Sequence, residues 1–286
     1  MTGRMYVMKN ILFACAAGLA LVTSRAQAQT DYYNTDTGRP LQIEDAYALE
    51  HRGVEIQIAP LRLERARSGV YHWAIEPELA IGLFPRTQLE IGVPLTFIDA
   101  GRDGRERGLS GIDISVLHNL NTETSIPALG IVGEVLVPVG GLGPDRAYVS
   151  AKAIATKTFS VARFHLNGQY TFADRIVDPR SSRPSRPGEA ERMDDSAIEL
   201  SQWLAGIAVD RTMPLRSLLV SAELFARQPL REPEDVEYNT AGGVRYQLSP
   251  RLATDAGAGY RLTGDDRGWF VTFGAAYAFG LPWSRR

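Results

Sequence analysis

The feature that most limits what this chain can fold into is an alternation of period two that recurs from residue 54 to residue 279. YHWAIEPELAIGL (71–83) sets Tyr71, Trp73, Ile75, Leu79, Ile81 and Leu83 against His72, Glu76 and Glu78. After the Phe84-Pro85-Arg86 turn, TQLEIGVPLTF sets Leu89, Ile91, Val93, Leu95 and Phe97 against Gln88, Glu90 and Thr96. GIDISVLHNL, FHLNGQYTF, LATDAGAGYRL and GWFVTFGAAYAF repeat the pattern. Successive side chains of a strand point to opposite faces, whereas a helix would scatter these residues around its circumference. VEIQIAPLRL (54–63) loses phase near Ala59-Pro60, which predicts a bulge there. ALGIVGEVLVPV, AYVSAKAIATKT, WLAGIAVD and SLLVSAELFA alternate less cleanly. Together these runs predict about twelve strands of roughly 9–13 residues, the length a tilted strand needs to cross a bilayer.

The composition of the two faces decides which solvent meets which. The apolar face is the larger one in nearly every strand, and the polar face carries isolated charges. A soluble barrel or sandwich would turn the apolar set inward and cover its outside with Lys and Glu. The expected fold is therefore all-β, a transmembrane antiparallel barrel. Tight links near Pro85, Pro127, Ser160, Pro214 and Pro250 alternate with broader polar ones at 99–110, 140–146, 227–237 and 263–267. The broadest runs from about 173 to 199 and contains RSSRPSRPGEAERMDD. Short periplasmic turns and long external loops produce this alternation, with an even strand count and both termini periplasmic. On that orientation Tyr71, Trp73, Phe97, Phe172, Trp203, Tyr238, Tyr260 and Trp269 lie at external strand ends. Phe159, Phe164, Tyr246, Tyr277 and Phe279 lie at periplasmic ends, completing two interfacial aromatic girdles.

The first 28 residues have the build of a cleaved secretory signal. Arg4 and Lys9 precede the apolar run ILFACAAGLALV (11–22), and Ala26-Gln27-Ala28 supplies the small residues that signal peptidase needs. The run is shorter than the roughly 20 residues of a spanning helix. Removing Arg4, Lys9 and Arg25, with no acidic residue, takes the net charge from −2 to −5. It also removes the sole cysteine, Cys15, so the mature chain cannot be held by disulfides. The near balance of 31 Lys+Arg with 33 Asp+Glu gives no nucleic-acid footprint. The expected organisation is a signal peptide at 1–28, a polar segment at 29–52 and a barrel at 53–286, located in the outer membrane. Residues 29–52 lack alternation; they either hang in the periplasm or enter the lumen as a partial plug.

If the apolar face meets lipid, the other face lines a lumen. The candidate pore-lining residues are His72, Glu76, Glu78, Glu90, Asp113, Glu134, Lys152, His165, Gln169, Arg245, Asp255 and Arg261. These charges either form a cross-lumen salt-bridge network that closes the barrel or line a wet passage. Their mixed signs give no preference for anions or cations. No serine motif accompanies any of the four histidines, so no catalytic residues are expected. No His/Cys/carboxylate spacing resembles a dedicated metal site, and no cofactor is expected.

RPLQIEDAYAL…GVEIQIAPLRLER, the hairpin IEPELAIGLFPRTQLEIGVPL, the run VPVGGLGPDRAYVSAKAIATKTF and the aromatic last strand together carry a resemblance. They resemble bacterial outer-membrane proteins grouped as transporters of the meta-cleavage pathway of phenol degradation. The resemblance implies an outer-membrane barrel that passes small molecules, aromatic or hydrophobic ones among them. The Tyr277/Phe279 ending resembles the terminal signal by which such barrels are recognised for insertion, although this chain continues as GLPWSRR. The leading expectation is a passive channel, gated by the 173–199 loop or the N-terminal segment. Its partners would be outer-membrane lipid and lipopolysaccharide, the barrel-assembly machinery and a small-molecule solute. The alternatives are a closed structural or adhesion barrel that works through its external loops, and a lipid-modifying enzyme that uses His72.

Overall fold

The computed structural model describes residues 34–66, 69–99, 104–174, 176–177, 200–232, 235–264 and 267–280. The expected signal peptide, most of the 173–199 loop and the tail after Gly280 lie outside these residues. Among the described residues there is no helix. Twelve barrel strands run in chain order. They are β1 (Gly53–Ala66), β2 (Tyr71–Phe84), β3 (Thr87–Gly92 continued as Leu95–Asp99) and β4 (Arg105–Leu109 continued as Ile112–Asn119). Then come β5 (Ala128–Val137), β6 (Tyr148–Thr158), β7 (Arg163–Thr171) and β8 (Ser201–Thr212). The last four are β9 (Leu218–Pro229), β10 (Glu237–Ser249), β11 (Leu252–Arg261) and β12 (Gly268–Gly280).

Each strand pairs antiparallel with the next, and β1 pairs with both β2 and β12, so the sheet closes on itself. Closure leaves no edge strand, as a barrel in hydrocarbon requires. The seam runs from Gly53 opposite Gly280 to Ala66 opposite Gly268. Its register shifts between Ile58 and Leu61 against both neighbours, at the position where the sequence loses phase. The shift keeps Ile58 and Leu61 both exposed on the outer surface.

Two strands are interrupted at one height of the wall. β3 breaks at Val93-Pro94 and β4 at Ser110-Gly111. Proline has no N–H for the ladder. Val93 N–H donates instead to the Pro77 carbonyl at 3.0 Å, and Ser110 N–H to the Pro94 carbonyl at 3.0 Å. Side-chain parity survives the break in β3, where Gln88, Gly92, Thr96 and Ile98 stay buried on the inner side. It shifts by one residue across the break in β4, from Gly108 opposite Thr96 to Asp113 opposite Gly92.

The connections depart from strict alternation. Residues 120–127, expected as a tight link, form an eight-residue turn, whereas at the opposite end of the barrel β2 begins at Tyr71, soon after β1 ends at Ala66. The side chain of Asn121 organises the longer turn, accepting from Leu129 N–H at 2.9 Å and donating to the Pro127 carbonyl at 2.9 Å. The expected broad loop at 99–110 is also narrower, because Arg105–Leu109 pairs with Leu95–Asp99. Its exposed Arg105, Glu106 and Arg107 carry the hairpin beyond the apolar part of the wall.

The outer surface is apolar along the strands. Ile58 is 61% exposed, Leu166 55% and Phe273 53%, although each sits mid-strand. Exposed apolar side chains on this scale are sustained by hydrocarbon and not by water. Aromatics cluster toward the strand ends. Trp73 stacks on Phe97 with ring centroids 3.8 Å apart, Trp203 lies opposite Tyr170, and Tyr260 lies opposite Trp269. Tyr71 and Phe172 are exposed at the same end, and Tyr277 and Phe279 face outward at the other.

Candidate functional site

The lumen is occupied by the chain itself. Residues 34–50, left open between periplasm and lumen by the sequence, thread through the barrel and pack on its inner face. Leu41 and Ile43 are buried with Leu204, Ala208, Phe225, Ala241 and Phe270. Farther along, Ala46 is buried with Leu117, Ala128, Val132 and Ile154. An irregular segment in such a place must satisfy its backbone through side chains. The barrel supplies them from many strands. Glu223 of β9 accepts the N–H groups of Gln42 and Ile43, both at 2.8 Å. Thr156 of β6 accepts Ala46 N–H at 3.0 Å, and Asn119 of β4 donates to the Ala46 carbonyl at 2.8 Å. Gln88 of β3 accepts Leu49 N–H, Arg245 of β10 donates to the Asn34 carbonyl, and Thr272 of β12 donates to the Pro40 carbonyl.

Contact is close enough to require glycine in the wall. A Cβ on Gly243 would stand 2.5 Å from Pro40 Cγ, and one on Gly82 would overlap the Glu50 carbonyl. Charge completes the fit. Arg39, fully buried, lies 3.4 Å from Asp36, 3.5 Å from Glu55 and 3.4 Å from Asp255. Arg245 lies 3.4 Å from the same Asp36 carboxylate. Two guanidinium groups thus share three carboxylates, which offsets the desolvation each would face alone.

Near the short-turn end a second chain of polar contacts ties plug to wall. His165, 1% exposed, has Nε2 at 2.9 Å from Asp210 Oδ2 and Nδ1 at 3.0 Å from Thr156 Oγ1. A carboxylate only accepts, so Nε2 carries a proton. Thr156 Oγ1, which accepts Ala46 N–H, is hydrogen-bonded to Nδ1. Arg163 forks onto Asp210 at 2.9 and 2.8 Å and lies 3.7 Å from Asp45. A hydroxyl, an imidazole and a carboxylate in line resemble an activated nucleophile. Here the hydroxyl is covered by the plug, and all three groups serve to hold it. At the mouth, Tyr47 O–H donates to Glu123 at 3.0 Å. Partial burial pushes the Glu123 carboxyl up, but hydrogen bonds from the Thr158 backbone and hydroxyl, Lys157 and Tyr47 outweigh it. The group is held below its ordinary range.

Above the plug, in the half of the lumen nearest the broad connections, lies a cavity of about 380 Å³. Asp36, Thr37, Gln42 and Glu44 of the plug form its floor. Its two walls differ. On β2 to β5 stand Glu76, Glu78, Glu90, Asp113 and Glu134. The ladder places Glu78 and Asp113 opposite the same residue, Gly92, and Glu134 opposite Ser115. Gly92 leaves room for the Glu76 carboxylate, whose Oε1 would be 2.5 Å from a Cβ there. Glu90 takes hydrogen bonds from Gln88 and Ser115. Glu76, Glu78, Asp113 and Glu134 have no hydrogen bond or ion pair among the described residues. The cations on the cavity are all engaged: Lys152 with Glu44 at 2.6 Å, Arg62 with Glu64 at 3.3 Å, Arg227 with Glu237 at 2.7 Å and Arg261 with Glu64 at 2.6 Å. The expectation that mixed signs leave no preference is thereby revised. Among the described residues, the Lys and Arg side chains on the cavity are paired and four carboxyl groups are not.

The candidate lumen residues fall into two groups. His72, Glu76, Glu78, Glu90, Asp113 and Glu134 face the cavity on one side, and Lys152, Gln169 and Arg261 complete that set. His165, Arg245 and Asp255 lie instead against the plug, buried to between 1% and 6% exposure. Sequence reasoning placed Asn167 in the lumen but missed Glu223, Thr156 and Asp210, which hold the plug with it, and the inward apolar seat made by Leu204, Phe225 and Phe270. The signal was present in the less clean strands, whose inner faces carry apolar residues where a simple water-filled barrel would have polar ones. His118, on the outer phase, bonds Thr87 at 2.9 Å beside its turn. Among the described residues no group of three or more metal-binding side chains comes together.

No protein-family model and no curated protein matches the chain in sequence. Among solved structures, an outer-membrane channel from Pseudomonas putida F1 superposes with a TM-score of 0.52 at 13% identity. That match covers 86% of this chain and 100% of that one. The KdgM porin matches with a TM-score of 0.48 at 9% identity, covering 79% of this chain and 99% of that one. The CymD monoaromatic hydrocarbon channel matches with a TM-score of 0.42 at 9% identity, covering 81% of this chain and 89% of that one. The first of these shows a shared fold.

Proposed function

We propose that this chain is a passive outer-membrane channel for small molecules, regulated by its own N-terminal segment. One observation carries the proposal: a cavity inside a closed, lipid-faced barrel ends on a floor that belongs to a separable segment and not to the wall. Solute entering from the broad-loop side reaches the cavity and is stopped by residues 34–50. Passage follows when that segment shifts or withdraws toward the short-turn end, where it joins β1. On this reading residues 1–28 are removed on export, both termini are periplasmic, and the twelve candidate lumen residues line the path or latch its gate. Tyr71, Trp73, Phe97, Phe172, Trp203, Tyr260 and Trp269 sit at the outer interface with lipopolysaccharide, and Tyr277 and Phe279 at the inner one. The phenol-pathway association enters only as a reason to include aromatic solutes among those tested.

The number of strands that bond the plug favours a second reading, a closed structural barrel acting through its loops. Planar-bilayer conductance and liposome swelling separate the two, measured on the mature chain and on a variant lacking residues 29–50. The channel reading expects rare openings in the first and sustained conductance in the second. Silence from both, with heat-modifiable folded barrel present, would overturn it and leave the closed barrel.

A further inference from the structure

We infer that the cavity above the plug is a binding subsite for small organic amines. The ammonium group would lie on the Glu76/Glu78/Asp113/Glu134 wall and an apolar body with a hydrogen-bond acceptor on the wall opposite. The inference deepens the channel reading and rests on it for transport, whereas binding is measurable without it.

Charge is the first support. Four carboxylates that lack partners among the described residues stand on β2, β4 and β5, while each described Lys and Arg on the cavity is held by a neighbour. Asp113 Oδ1 is sequestered from solvent with no hydrogen-bond partner. Carboxylates withdrawn from water and repelling one another favour entry of a cation, and low-dielectric walls strengthen that field. Lys152 cannot supply the charge, because its ammonium is already on Glu44 and Thr37.

A second observation, independent of the acidic wall, points to a ligand. Asn239 of β10 is 3% exposed and lines the same cavity, yet its Nδ2 has no hydrogen-bond partner. A buried amide donor in the wall of a cavity is costly while nothing accepts from it. Beside it, Phe225, Leu204 and Leu200 give the opposite wall an apolar surface. The cavity is thus bipolar: anionic on one side, apolar with one free donor on the other. A protonated amine on an aromatic or aliphatic body, with an oxygen at its far end, satisfies both walls. A carboxylate of the same shape would oppose the first.

The test uses the folded full-length mature protein and three probes: tyramine, its matched anion 4-hydroxyphenylacetate, and phenethylamine, which lacks the phenol oxygen. Equilibrium dialysis should show tyramine binding at least about tenfold more tightly than the anion. Raising salt from about 0.05 M to about 0.5 M should weaken it. Glu76→Gln/Asp113→Asn/Glu134→Gln should lower tyramine affinity about tenfold or more. If that variant does not fold, Glu134→Gln alone should give a smaller loss in the same direction. Asn239→Ala should reduce tyramine binding several-fold and leave phenethylamine unchanged. Equal binding of amine and anion, or no change in the folded acidic variants, would overturn the inference. Liposome swelling keeps the two readings apart. Swelling without amine preference removes the subsite and leaves the channel, and amine binding without swelling removes the channel and leaves the subsite.

Discussion

The side-chain amide of Asn167 grips both backbone groups of Glu44: its Oδ1 accepts the Glu44 N–H at 3.0 Å and its Nδ2 donates to the Glu44 carbonyl at 2.8 Å. An extended strand would offer the same pair of bonds from its own backbone, but the wall's backbone is already spent on β6 and β8. The amide therefore lets the barrel bind a segment that is not part of its sheet. Asn167→Ala leaves two buried groups without partners, at about 1–3 kcal/mol each. The plug-displaced population should rise about tenfold or more. Single-channel recording checks this through open probability, and an unchanged value would mean that the plug is not held here.

Gly243 is required by the approach of Pro40. Gly243→Val should force Pro40 and the adjoining Leu41 off the wall while leaving the β9–β10–β11 ladder intact. The mature chain has no cysteine, so Ile43→Cys provides a single thiol. Its maleimide labelling should be slow in the Gly243 background and fast with Gly243→Val, at equal heat-modifiable mobility.

Arg39 neutralises Glu55 and Asp255 from inside the lumen. Arg39→Ala leaves both carboxylates buried beside Arg245 alone, and breaking a buried pair costs about 3–5 kcal/mol. The expected result is a larger rise in conductance than for Asn167→Ala, with the barrel still folded by electrophoresis. An effect smaller than that of Asn167→Ala would show that hydrogen bonds, and not charge, seat the plug.

The mouth contact has a definite pH sense. Glu123 is held below its usual value of 4.5 by the hydrogen bonds it accepts. Its ionised form is therefore the one that stabilises the docked plug. That contribution is complete above the usual value and is lost as pH falls through the lowered one. Hydrogen–deuterium exchange at residues 45–49, corrected for intrinsic rates, should be flat from neutral pH down to the usual carboxyl value and accelerate only below it. Tyr47→Phe should reduce the change.

Closure of the barrel depends on the last strand. Tyr277 lies opposite Ile56 and Phe279 opposite Val54 along the seam. Tyr277→Ala with Phe279→Ala should lower the amount of heat-modifiable barrel in outer-membrane fractions. Deleting residues 281–286, beyond the Gly53–Gly280 pair, should leave it unchanged.

What the sequence determined by itself was the wall. Whether a side chain in a strand points to lipid or to lumen depends on parity alone, and parity is local. The outer set of Trp73, Leu89, Leu166 and Phe273 was legible from spacing, as was the bulge between Ile58 and Leu61. The contents of the lumen were decided by tertiary structure. Lys152 meets a glutamate 108 positions away, Arg39 a carboxylate 216 positions away, and Glu223 two backbone amides of residues 42 and 43. No spacing rule encodes such partners, because curling twelve strands into a barrel brings any inner-face residue near any other at the same height. The four less clean strands were the trace that this left in the sequence. Val132, Ile154, Leu204 and Phe225 break the polar inner pattern because a segment of the chain itself, and not water, lies against them. The sign of the lumen followed from the same cause. The two senses of charge are mixed along the chain, and only pairing in space left the carboxylates of β2, β4 and β5 unmatched.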